Sequence, residues 1–105
     1  MAQLYGYDAG EFRLQPNQEW SYFWDVPEFP GNTRSTWTVT PFPNAVLDGP
    51  AHPEQRVEVV DFFLLRKGPD AEPPGPNKLQ LNYKLRNVGK NPVAGHVIIS
   101  AVTVQ

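Results

Sequence analysis

The side chains able to act as nucleophiles or general bases are few in this 105-residue sequence, which contains three serines, two histidines and no cysteine. None of the serines lies in the Gly-x-Ser-x-Gly turn that exposes the catalytic serine of many hydrolases. The two histidines, His52 and His96, are 44 residues apart. A serine and a histidine could still meet in the folded chain, but no motif in the sequence predicts such a pair. We therefore expect no catalytic residues and a protein that is not an enzyme.

Metal-ligating side chains come closest together near residue 52, where His52 and Glu54 are two residues apart and Asp48 lies four residues before the histidine. A zinc ion normally takes three or four protein ligands, so another part of the chain would have to complete such a site. Asp70 and Glu72 lack the spacing of a calcium-binding loop. A solvated loop is the simpler interpretation of both segments, and we expect no metal and no other cofactor.

The most distinctive pattern is a row of aromatic residues in the segment 18–26, Gln-Glu-Trp-Ser-Tyr-Phe-Trp-Asp-Val. Trp20, Tyr22 and Trp24 occupy alternate positions, and alternate side chains of an extended strand lie on one face. An exposed row of rings would form a flat platform on which the apolar C–H faces of sugar rings stack. A buried row would belong to the hydrophobic core, where aromatic side chains contribute large contact areas. The pattern leaves both interpretations open.

Aromatic residues are concentrated early in the chain, because ten of the 13 lie at or before residue 42. The later segments supply enough valine, leucine and isoleucine for an interior, so the aromatic excess predicts an exposed contact patch. Tryptophan, tyrosine and arginine are also frequent anchors of interfaces. The candidate ligand-binding residues are Trp20, Tyr22, Trp24, Trp37 and Arg34.

The predicted function is a non-catalytic binding module that recognises carbohydrate through this aromatic row. The alternative is a structural or assembly domain in which the same residues contact another protein or build a homo-oligomer. The formal charge of −2 arises from 11 acidic and nine basic residues without a basic cluster, which argues against a nucleic-acid partner. No apolar segment is long enough to cross a bilayer, so we expect no membrane insertion. The absence of cysteine excludes disulfides and leaves the cellular compartment open.

Twelve prolines and eight glycines divide the chain into short segments of β-type pattern, and no segment has a helical period. The segment 78–88 alternates cleanly between apolar and polar residues. The segment 55–67 is apolar on both faces, which predicts either a central strand or a bulge that switches the register. We predict six strands and two longer loops, 41–54 and 68–77, with a seventh strand around 3–7. The six strands are 10–15, 18–26, 33–40, 55–67, 78–88 and 93–104.

Short strands at such spacing predict one all-β domain, residues 1–105, folded as a single antiparallel β-sandwich of immunoglobulin-like or jelly-roll-like type. The C-terminal residues Leu81-x-Tyr83-x-Leu85-x-Asn87-Val88-Gly89, with the strand that follows, resemble the last hairpin of immunoglobulin-like bacterial adhesion modules of the CARDB type. Glu11-x-Arg13-Leu14-x-Pro16 is similar to their opening segment. The resemblance covers about a third of the chain, and it implies an immunoglobulin-like fold with a binding or spacer role and no catalytic residues.

Overall fold

The computed structural model describes residues 3–26, 34–44 and 54–104. These residues form six β-strands in two antiparallel sheets, and each sheet has three strands. Sheet A has the order β1-β6-β3 and sheet B has the order β2-β5-β4. The prediction of an all-β fold with six strands is confirmed. The strands are β1 (Gln3–Leu14), β2 (Glu19–Asp25), β3 (Arg34–Pro43), β4 (Val57–Lys67), β5 (Lys78–Asn87) and β6 (Val93–Val104).

Burial alternates with a period of two residues in the central strands β5 and β6, and in β5 it follows the alternation of apolar and polar residues in the sequence. Leu81, Tyr83 and Leu85 of β5 are at most 4% exposed, and alternate residues of β6 are buried in the same way. The inner faces of the two sheets meet through aromatic rings. The ring centroids of Tyr7 and Trp24 are 5.0 Å apart across the sheets. The arrangement is sandwich-like, while the immunoglobulin-like or jelly-roll-like topology stays a prediction.

The N-terminal part of the chain forms one long strand. The separate strand predicted around residues 3–7 is wrong, because it is continuous with the segment 10–15 in β1. The pairing of β1 with β6 shifts register between Asp8 and Glu11, and Gly10 in this bulge has a φ of 110°. Glycine adopts that conformation without steric cost. The strand therefore continues through Ala9 and Gly10, although a pair of such small residues is typical of a turn.

Strand β3 continues through Pro41 to Pro43, although the sequence pattern places the start of a loop at residue 41. The strand lies at the edge of sheet A, where a residue without a backbone N–H can be tolerated on the side that faces away from the neighbouring strand. The end of β3 also runs very close to Gly95 of β6. A methyl carbon added to Gly95 would overlap the Phe42 carbonyl oxygen and lie 2.9 Å from the Pro43 Cα. The remainder of the predicted loop, residues 45–53, lies outside the described residues.

Strand β4 lies at an edge of sheet B, so the interpretation of segment 55–67 as a central strand is wrong, and the bulge interpretation is confirmed. The register of β4 against β5 shifts between Val59 and Asp61. After the shift Phe62 pairs with Tyr83 and faces inward, while Phe63 pairs with Asn82 and faces outward. The consecutive apolar residues therefore point to both faces of an edge strand.

A buried asparagine connects the two sheets at the β5–β6 turn. Asn87 is 0% exposed, and its Nδ2 donates to the carbonyl oxygens of Leu14 at 3.1 Å and Asn91 at 2.7 Å. Its Oδ1 accepts a hydrogen bond from the Gly89 N–H at 2.9 Å. Because Leu14 belongs to β1 in sheet A, this single side chain joins both sheets to the turn.

Candidate functional site

The row of alternating aromatic residues in β2 faces the space between the sheets. The rings of Tyr22 and Tyr83 stack with centroids 5.4 Å apart, and the centroids of Trp24 and Trp37 are 5.9 Å apart. Burial raises the pKa of the Tyr22 phenol. Burial, and after it the charge of Tyr22, raises the pKa of Tyr83 to about 12. Tyr22 and Trp24 therefore act as part of the core, which is one of the two interpretations that the sequence left open.

The five predicted binding residues do not share one surface. Trp20 lies at the outer end of the aromatic row and is 56% exposed, whereas Trp37 is 7% exposed and its indole N–H donates to the Ser35 hydroxyl at 2.8 Å. Arg34 is exposed and pairs with Val104 at the end of β3 in sheet A. The structure thus brings Trp24 and Trp37 together inside the protein and leaves Trp20 as the exposed indole of the predicted set.

A cluster of exposed apolar side chains lies instead on β4. Val60, Phe62, Phe63 and Leu64 are each between 40% and 47% exposed, and they span five consecutive positions. Phe62 and Leu64 pair with buried residues of β5, so they project from the inner face of sheet B at its open margin. We call residues 61–67, which follow the bulge, the β4 edge.

The outer face of sheet B adds a second exposed ring. Phe23 of β2 is 67% exposed and Phe63 of β4 is 47% exposed, and both are paired with Asn82 on the strand between them. Two inter-strand spacings separate the phenylalanines, which amounts to about 10 Å. The Nδ2 atom of Asn82 is buried and has no hydrogen-bond partner among the described residues. Two exposed phenylalanines therefore flank a buried, unpaired amide nitrogen on the outer face of sheet B.

The four edge strands of the two sheets differ in how well they resist pairing with another chain. Bulges, prolines and short length are the usual features that block an edge. Strand β1 has its bulge at residues 8–11, β2 has only seven residues, and β3 contains Pro41 and Pro43. Strand β4 also contains a bulge, between Val59 and Asp61, but it has no proline, and the seven residues 61–67 that follow the bulge pair without a register shift. Of the four edges, the β4 edge is the one that exposes consecutive large apolar side chains, Phe62, Phe63 and Leu64.

Charged residues border the apolar part of the β4 edge. Asp61 pairs with Lys84 of β5, while Lys67 pairs with Lys78 at the other end of the strand. Like charges directly opposite each other on one face of a sheet are destabilising. Within the described ranges no carboxylate lies within ion-pairing distance of Lys67 or Lys78.

His96 lies on the outer face of sheet A, beside the carboxylates of Asp8 and Glu11. Its Nδ1 is 3.0 Å from an Asp8 carboxylate oxygen, and its Nε2 is 3.7 Å from Glu11. A hydrogen bond from the Gly10 N–H, together with the one to His96, lowers the pKa of the Asp8 carboxyl. Ser100 lies four residues further along β6, about 13 Å away, and hydrogen-bonds to Thr38. The histidine is therefore not positioned to activate that serine.

Two open cavities lie at the end of the fold that contains the β5–β6 turn. A cavity of about 320 Å³ is lined by residues 88–91 together with Glu54 and Arg56. A cavity of about 260 Å³ lies between the end of β1, Gln55 and the start of β6. Neither is lined by an aromatic ring or a histidine. Among the residues that the structure describes, no three histidine, aspartate or glutamate side chains are placed to hold a metal ion.

The pattern in segment 55–67 contained a signal for the exposed cluster. A two-layer protein covers one face of each sheet, so a strand that is apolar on both faces must expose one row.

Neither a family model nor a curated protein nor a solved structure matches this chain. No helix in the described part of the chain is long and apolar enough to cross a membrane.

Proposed function

We propose that this protein is a non-catalytic interaction module that binds a protein partner along the β4 edge. The observation that carries the proposal is the run of exposed Phe62, Phe63 and Leu64 in the β4 edge, on a strand without prolines that ends its sheet. Extended segments of other proteins add to such strands through main-chain hydrogen bonds, while alternate side chains provide the specificity. The proposed partner contributes one extended, partly apolar segment.

Selection from a library of displayed random peptides tests the proposal without requiring that the partner be identified first. Peptides of alternating apolar pattern should be enriched on the wild-type protein. The substitution Phe63→Lys should abolish their binding, because it places a charge in the middle of the β4 edge. The matched control is Phe42→Lys, which removes an exposed phenylalanine from the outer face of sheet A. The proposal is contradicted if the wild-type protein is monomeric and the selection yields no peptide whose binding is lost in Phe63→Lys.

Carbohydrate recognition is the second candidate, and the exposed indole of Trp20 favours it. The ion pair of Glu19 with Arg86, at 3.8 Å, lies on the other face of the sheet, because adjacent residues of a strand point to opposite faces, so the candidate site rests on the indole alone. A glycan array followed by titration of the hits, monitored by tryptophan fluorescence, tests this role. Trp20→Ala should remove the response, and a signal that persists in that variant excludes the Trp20 site.

A further inference from the structure

We propose that the partner that fits the β4 edge is a second copy of the same chain, joined by antiparallel pairing of β4 with β4. This inference rests on the proposed interaction function and names its partner. The two-fold axis passes beside Leu64, so that Leu64 lies opposite Leu64 of the second copy. The paired strands turn the two copies of sheet B into one sheet of six strands.

The order of residues in the β4 edge matches this pairing. A two-fold axis at residue 64 places Asp61 opposite Lys67 of the second copy, and Phe63 opposite Leu65. Cross-strand pairs of opposite charge and of apolar side chains are the ones that stabilise antiparallel sheets. All four residues lie on the outer face of sheet B, as their pairing with Lys84, Asn82, Gln80 and Lys78 of β5 shows.

Neighbouring registers are less favourable, because side chains alternate between the faces and only shifts that preserve the faces are allowed. An axis at residue 63 would place Asp61 opposite Leu65. An axis at residue 65 would place Phe63 opposite Lys67 and Asp61 opposite Pro69. In both registers Asp61 and Lys67 face no opposite charge across the axis, so charge complementarity selects the axis at Leu64.

The proposed pairing also provides a counter-charge that the single chain does not. In one chain Lys67 faces Lys78 across the sheet, and no described carboxylate lies within ion-pairing distance of either lysine. In the dimer Asp61 of the second copy lies on the other side of Lys67. Across the joined sheet, Lys78 and Lys67 of one copy are then followed by Asp61 and Lys84 of the other copy. The two-fold symmetry generates a second row of the same four residues on the other side of the axis.

The inner face of the edge is covered by the same contact. Phe62 and Leu64 are 40% and 44% exposed in the single chain. Leu64 packs against its symmetry mate, and the aliphatic part of Arg66 of the second copy lies opposite Phe62. Because each copy contributes the same strand, the contact is closed and predicts a dimer rather than an open chain of subunits.

Sedimentation velocity across a range of protein concentrations tests the inference. The wild-type protein should approach twice its chain mass of 11.8 kDa as the concentration rises. Asp61→Lys and Lys67→Asp should each weaken the dimer at least tenfold, because each places two pairs of like charges across the axis. An equimolar mixture of the two variants should form a dimer again, because a lysine of one variant then faces an aspartate of the other at both ends of the paired strands.

The control is Asp25→Lys, which makes the same charge change on β2 at the opposite edge of sheet B and should dimerise like the wild type. Circular dichroism of each variant verifies the fold. A wild-type protein that stays monomeric at millimolar concentration overturns the second copy as partner, and so does a dimer that both charge variants leave intact. Peptides selected on the β4 edge and lost in Phe63→Lys would still support the proposed function after either result.

Discussion

Replacement of Asn87 by alanine should destabilise the protein by about 3 kcal/mol. The side chain is fully buried and makes hydrogen bonds to the Leu14 carbonyl, the Asn91 carbonyl and the Gly89 N–H. Each intramolecular hydrogen bond contributes about 0.5–1.5 kcal/mol net, and a buried group that loses its partner costs about 1–3 kcal/mol. Three bonds at about 1 kcal/mol each give the expected value, and the Leu14 bond contributes most because it is the fully buried one.

Urea denaturation followed by circular dichroism measures this loss, and the slope of the transition should not change. For a domain of this size, about 3 kcal/mol corresponds to a decrease in the melting temperature of about 12–24 °C. Asn91→Ala is the matched control in the same turn. The Asn91 side chain makes one exposed hydrogen bond, from its Nδ2 to the Glu54 carbonyl at 3.1 Å, so its removal should cost less than about 1 kcal/mol.

The comparison of the two variants decides whether Asn87 connects the sheets. Equal losses in Asn87→Ala and Asn91→Ala would refute the reasoning, because they would show that water replaces the buried bonds without cost. Asn87→Asp provides a further check at neutral pH. Its carboxylate would face the carbonyl oxygens of Leu14 and Asn91, so this variant should be less stable than Asn87→Ala.

Three other measurements follow from the packing. Gly95→Ala should prevent normal pairing of β3 with β6, seen as lost amide protection in both strands, because its methyl group would overlap the Phe42 carbonyl; normal protection would contradict the close approach. Alkaline titration followed by tyrosinate absorbance should show Tyr83 ionising near pH 12. Because this pKa lies above the unfolded value near 10, the stability that the neutral phenol provides is complete below pH 10 and is lost as the pH rises towards 12; ionisation of all tyrosines near pH 10 in the folded protein would contradict the burial. Acrylamide should quench mainly Trp20, so Trp20→Phe should remove most of the quenching, and unchanged quenching would place the accessible indole elsewhere.

The sequence predicts the central strands well because their environment is simple. The residues Leu79 to Leu85 alternate with polar ones, and a strand between two neighbours and under a second sheet has one buried and one exposed face. The edge strands are harder to predict. Gly10 resembles a turn residue although it lies in a bulge, and Pro41 resembles a loop residue although an edge strand tolerates it.

The candidate site could be predicted only in part. The alternation of Trp20, Tyr22 and Trp24 predicts that they share a face, but the sequence does not reveal which face another sheet will cover. The assignment of β4 to an edge depends on strand order, and strand order depends on long-range contacts that leave no periodic signal. For the same reason the pattern of the Asn87–Gly89 segment predicts only a turn, although Asn87 contacts a residue 73 positions away.

The pairing of the first strand with the last has a mechanical consequence. Gln3 lies beside Thr103, and the register continues to Leu14 beside Val93 at the opposite end of the sheet. A force that separates residues 3 and 103 acts perpendicular to the strands, so it loads the backbone hydrogen bonds one row after another. Sheet A should open like a zipper at low tension until the opening reaches Leu14, where the amide of Asn87 fastens β1 to sheet B.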